Sequence, residues 1–141
     1  MILNRQRRIP LATEPLAAFL ARTCQVLNFP EGSVTVRLVS DTAMARLNKE
    51  FRGKRGATDV LSFPAEVPRS GAVDSYIGDI AIAPETASRN ARRLSRSLPA
   101  ELRILILHGM LHLAGYDHET DDGEMEELER RLRRRLQVSA R

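Results

Sequence analysis

The sequence predicts one α+β domain over residues 1–141, a small mixed sheet of about four strands packed with about five helices. Three observations carry this. The chain has 141 residues, 43% apolar and 28% charged, which suits one buried core and not a disordered polymer. The apolar period switches repeatedly between two and three-to-four along the chain. No internal repeat, low-complexity tract or long linker divides it.

Taken in order, Ile2–Arg5 is short and apolar enough at its start to add an extra strand. Pro10–Leu27 predicts a helix, with Leu16, Phe19, Leu20 and Leu27 near helical spacing. Val34–Val39 alternates and is β-branched, which predicts a strand. Ser40 can cap the next helix, whose Met44, Leu47 and Phe51 recur at i, i+3 and i+7 and define an inner face. Gly53 and Gly56 bracket a basic loop, after which Asp59–Phe63 predicts a strand that Pro64 ends or confines to a sheet edge.

The composition of residues 68–74 predicts a connection, Tyr76–Ala83 predicts another strand, and Pro84 suits the first turn of a helix. From Pro99 the residues Leu102, Ile104–Leu107, Met110, Leu111 and Leu113 cover nearly every side of a helix, which marks it as buried. Gly115 is placed to end it in the left-handed conformation. The last helix begins near Asp121–Glu124, with an inner stripe of Met125, Leu128, Leu132 and Leu136. Its acids lead and its arginines trail, matching the helix dipole, and Glu126/Arg130, Glu127/Arg131 and Glu129/Arg133 are i,i+4 pairs.

Several function classes are disfavoured. The first eight residues lack the apolar core of a signal peptide, and no apolar run approaches a membrane span, so no membrane partner is expected. Cys24 is the one cysteine, which rules out an intrachain disulfide and points to a reducing, cytoplasmic setting. The formal net charge is +4, and all but two of the 22 basic residues are arginine. Arginine forks match phosphate geometry, but this excess alone does not separate a nucleic-acid partner from ordinary solvation.

The chemistry concentrates in His108-Gly-Met-Leu-His112-Leu-Ala-Gly-Tyr-Asp-His118, which holds all three histidines of the chain. Residues four apart on a helix project from one face about 6 Å apart, so His108 and His112 can reach one ion at about 2.0–2.1 Å. Gly115 lets the chain reverse so that His118 can return to the same point. Three imidazoles predict a site for one divalent ion, Zn2+ by preference, with a fourth position left for water, the catalytic pattern rather than the structural one.

The spacing matches the metzincin proteases, but their general-base glutamate is replaced by Gly109. Ordinary proteolysis is therefore disfavoured, unless Asp117 or Glu119 supplies the carboxylate. A glycine inside a helix costs about 1 kcal/mol against alanine. Gly109 must then either leave room for a bulky substrate or permit close packing of a neighbouring element.

This histidine segment resembles the signature of the YbeY family of bacterial metal-dependent endoribonucleases. Two further stretches agree: Leu47-Asn48…Phe51-Arg52-Gly53-Lys54…Thr58-Asp59-Val60-Leu61-Ser62-Phe63-Pro64, and Gly78-Asp79-Ile80. The similarity runs in order from about Val34 to Glu127. It implies a single α+β domain, a zinc-like ion on His108, His112 and His118, and cleavage of single-stranded RNA rather than DNA. It further implies maturation of the 3′ end of small-subunit ribosomal RNA, ribosome quality control, and the small ribosomal subunit as partner. The family's functionally important arginine maps onto Arg52.

Arg52 can also be argued directly, since it opens a loop with Lys54 and Arg55 and a guanidinium there can neutralise a pentacoordinate phosphate. Lys54, Arg55 and Tyr116 are candidate RNA contacts, although Tyr116 would serve equally to close a helix end. Asp117 can orient a histidine or cap the turn, and Asp59 and Asp79 suit structural support better than chemistry. Arg89, Arg92, Arg93 and Arg96 fall on one helical stripe that either tracks RNA or is a solvated face. Beside the nuclease stand two other readings, a zinc peptidase and a non-catalytic ribosome-binding module whose metal staples the last helix to the core.

Imidazoles bind metal only when neutral, so zinc affinity is expected to fall as pH drops below about 6.5. Calorimetric titration between pH 8 and pH 5 checks this, and a flat profile would count against imidazole ligation.

Overall fold

In the computed structural model, which describes residues 1–65, 76–116 and 123–136, the alternating segments pair into a four-stranded sheet. Strands β1 (Ile2–Asn4), β2 (Val34–Leu38), β3 (Val60–Pro64) and β4 (Gly78–Ile82) lie in the order β1-β2-β4-β3. β1 and β4 run parallel to β2, while β3 runs antiparallel to β4. The sheet is mixed, as predicted, and β3 with its terminal Pro64 is an edge strand. Pro64 cannot donate to a ladder, and there it has no need to.

Alternation sends Val34, Val36, Leu38, Ile80 and Ile82 to one face. Helices α1 (Thr13–Leu27), α4 (Leu98–Leu113) and α5 (Glu124–Arg135) close over them to form the main core. Leu61 and Ala81 face the other way, where α2 (Asp41–Arg52) covers them with the fully buried Met44. Helix α3 (Pro84–Arg93) packs against α4 and α2. Cys24 is buried in the main core, and burial pushes its thiol upward, so it acts as an apolar residue rather than a nucleophile. Among the described residues no helix is long and apolar enough to cross a membrane.

The boundary signals at Ser40, Pro84 and Gly115 work as expected, and Ser97 adds a further cap. Ser40 Oγ accepts from the Ala43 amide at 3.1 Å, and Ser97 Oγ accepts from the Ala100 amide at 3.2 Å. Pro84 stands in the first turn of α3. Gly115 has φ +99°, which lets the Tyr116 amide reach back to the Leu111 carbonyl at 3.0 Å.

Three expectations change. Helix α1 begins at Thr13 rather than Pro10, because buried Gln6 captures the preceding backbone. Its amide donates to the Ile9 carbonyl and its carbonyl accepts from the Ile9 amide, each at 2.9 Å. Phe51, expected on the inner face of α2, is 60% exposed, since the last turn of α2 runs out over edge strand β3. The arginine stripe breaks because α3 ends at Arg93 and Ser95 turns left-handed at φ 55°. Arg89 is tied to Asp41, and Arg96 to the buried Glu101.

Gly109 faces the sheet. A Cβ there would stand 2.9 Å from two carbons of Ile80, so of the two reasons offered for this glycine, close packing is the one realised. Gly109→Ala gains helix propensity but forces α4 and β4 apart, and is expected to lower stability by about 1–3 kcal/mol. Urea denaturation measures this, with Ile80→Val in the same chain expected to restore part of the loss.

Candidate metal centre

Helix α4 is buried nearly all round, so the position of its two histidines is set by packing and not by choice of surface. With Gly109 pressed on β4 and Leu107, Met110 and Leu111 buried, His108 and His112 occupy the stripe of α4 that remains partly open. Their Nε2 atoms lie 3.1 Å apart, and the rings stand nearly edge to face with centroids 4.7 Å apart.

The donor set fits a metal. Two tetrahedral ligands at zinc–nitrogen distance hold their nitrogens about 3.3 Å apart, close to the separation seen. The remaining nitrogen of His108 is also accounted for: Nδ1 lies 3.2 Å from Oε1 of Glu129 on α5. A carboxylate there favours the tautomer with the proton on Nδ1, leaving the Nε2 lone pair directed at His112. Glu129 is in turn held by Arg133, 3.2 Å from its other oxygen, and its side chain is 13% exposed. The neighbouring pairs Glu126/Arg130 and Glu127/Arg131 are exposed at 3.6 and 3.7 Å and contribute little. Position decides which of three similar pairs matters.

The third predicted ligand, His118, lies outside the described residues, as do Asp117 and Glu119. Among the described residues no three metal-binding side chains gather at one point. Tyr116 is half-buried against the main core, and its amide closes α4.

Arg52, Lys54 and Arg55 are exposed at the end of α2 and in the loop beyond it. Gly53 caps α2 at φ 65°, and the side-chain amide of buried Asn48 donates to the Gly56 carbonyl at 2.9 Å, pinning the loop back onto the helix. Two contacts connect this region to α4. Phe51, beside Arg52, meets Phe63 of β3 at 5.1 Å between ring centroids. The adjacent Ser62 donates its hydroxyl to the Gly109 carbonyl at 3.0 Å. Asp59 and Asp79 are structural, Asp59 accepting from Asn90 at 3.3 Å and Asp79 pairing with Arg37 and Tyr76.

Glu129 is the residue that sequence reasoning missed. Its i,i+4 pair with Arg133 forms as expected, yet it also lies four residues after Met125 and three before Leu132, on the flank of the inner stripe of α5. An acid largely withdrawn from solvent needs a partner on a facing element, and His108 is it.

Fold and site together define a small α+β protein whose imidazoles converge on a helix braced by an edge strand. The model of the family described as Endoribonuclease YbeY matches residues 1–137. An Endoribonuclease YbeY of Koribacter versatilis is 46% identical over 138 residues, covering 98% of this chain and 86% of its own length. One of Geobacter metallireducens is 37% identical over 126 residues, covering 89% and 83%. The solution structure of TM1509 from Thermotoga maritima superposes with a TM-score of 0.63 at 33% identity, over 96% of this chain and 89% of that one. The chain belongs to the YbeY endoribonuclease family, whose named activity is cleavage of RNA.

Glu129→Gln keeps the shape of the side chain but removes the charge that orients His108. It is expected to weaken zinc binding about 10- to 100-fold, read by titration against a competing chelator. An unchanged affinity would show that the carboxylate does not act through the imidazole.

Proposed function

We propose that the protein is a metal-dependent, single-strand-specific endoribonuclease that matures the 3′ end of small-subunit (16S) ribosomal RNA in the cytoplasm and acts in ribosome quality control. Family membership supports the reaction class, and the single observation that carries the chemistry is the convergence of the His108 and His112 Nε2 atoms at 3.1 Å with Glu129 behind them. His108, His112 and His118 would hold one Zn2+ per chain. When bound, that ion supplies Lewis acidity and a water of lowered pKa beside the scissile phosphate.

The chain's own residues then have separable tasks. Glu129 keeps the Nδ1 proton on His108. Arg52 offers a guanidinium to the non-bridging oxygens of the phosphate, where charge accumulates as the fifth bond forms. Lys54 and Arg55 neutralise flanking phosphates and contribute a salt-sensitive share of affinity. The resemblance to the family supports the small ribosomal subunit as the place of action.

The usual metzincin arrangement is closed to this chain. A glutamate at position 109 would be driven into Ile80, so the residue that serves proteolysis at this spacing has no room here.

His112→Ala and Arg52→Glu are each expected to cut cleavage of single-stranded ribosomal RNA by at least about 100-fold. Chelation should abolish parent activity and added zinc restore it. Undiminished cleavage by both variants would sink the mechanism, and metal-dependent peptide hydrolysis without RNA cleavage would replace it.

A further inference from the structure

We propose that Phe51, propped on Phe63, is a stacking shelf for one unpaired base of the RNA, and that it sets which phosphate reaches the histidines. This deepens the endoribonuclease reading and rests on it.

Phe51 is 60% exposed although it belongs by period to the inner face of α2. It is nonetheless held: its ring meets Phe63 at 5.1 Å and 70°. In such a near-perpendicular pair, whichever ring presents its edge, at least one face of Phe51 remains uncovered by its partner. A ring already fixed by an aromatic neighbour loses little freedom when a base stacks on it.

The charge around it is complementary to a nucleotide. Residues 46–56 contain five basic side chains and one acid, Glu50. Arg52, Lys54 and Arg55 are exposed and form no ion pair with any described residue. An aromatic face beside cations that pair with no described residue is what a single-stranded nucleotide requires, its base on the ring and its flanking phosphates on Lys54 and Arg55. Bases in a duplex have both faces covered by their neighbours, so the shelf selects unpaired RNA.

Its place relative to the metal centre follows from the strand. Ser62 and Phe63 are consecutive, so their side chains leave β3 on opposite faces. Ser62 is bonded to Gly109, next to His108, while Phe63 carries the shelf. β3 is the last strand of the sheet, and a flexible single strand can pass round its edge from one face to the other. A base captured on Phe51 then fixes the register of the phosphates that follow it.

The test is fluorescence anisotropy of a labelled single-stranded oligoribonucleotide with the zinc-loaded protein and its Phe51→Leu and Phe51→Tyr variants. Leu keeps the apolar contact but has no ring face, and should raise Kd roughly 5- to 30-fold. Tyr should stay within about twofold, and both should leave the urea midpoint near the parent value. Oligonucleotides with one abasic site, scanned along the strand, should reveal a position whose loss costs the parent as much as Phe51→Leu does, and costs that variant nothing more. This scan on the parent keeps the test decisive even if Phe51→Leu folds poorly. Additive losses at every position, or a Phe51→Leu protein that binds and cleaves like the parent, would overturn the shelf and leave the nuclease reading intact. A parent that neither binds nor cleaves RNA would overturn both, and unchanged RNA binding with loss of a protein partner would assign the pair to that partner instead.

Discussion

The seating of α4 directly on β4, backbone against side chain with no Cβ between them, is the contact on which the rest of the site depends. Gly109 lets the helix approach until Ile80 fills the space a side chain would have taken. At that distance Ser62 of the edge strand can satisfy the Gly109 carbonyl, which couples β3 to the helix as well. With one side of α4 so committed and most of the others buried, the histidine pair can emerge only along the remaining stripe, towards α5. Packing therefore decides the orientation of the imidazoles before any electrostatic interaction does.

The second layer of organisation is a relay of charge from α5 to α4. Arg133 holds Glu129, Glu129 faces His108 Nδ1, and His108 meets His112 through Nε2. Each member restricts the next, so the histidines are preorganised rather than free to rotate. α5 is held for this task by Met125, Leu132 and Leu136, all buried. Hydrophobic burial fixes α5, and α5 orients the imidazole.

On the far side of the sheet the construction is looser and more polar. α2 covers only part of that face, and its last turn extends over the edge strand with Phe51, Arg52 and the loop that Asn48 restrains. On the proposed reading, catalytic orientation rests on the buried core and nucleotide contact on a rim of exposed side chains. This division suits a substrate that is flexible, anionic and variable in sequence.

The sequence by itself determined what depends on neighbours close along the chain. Helical and strand periods, the Ser40 cap, the left-handed Gly115 and the shared face of His108 and His112 are set by rises and rotations of a few residues. The matching motifs also identified the family, and the proposed role of Arg52 rests on that resemblance. Tertiary structure decided whatever required knowing what lies opposite. Gly109 had two explanations until Ile80 was found against it. Glu129, unlike Glu126 and Glu127, flanks the inner stripe of α5, but its partner His108 emerged only when α5 lay over α4. Phe51 obeyed the inner-face period yet stands in solvent, because whether a face is covered depends on where the sheet ends. Local geometry is written in spacing, but burial and pairing arise between residues distant in the chain, and only the folded arrangement brings those together.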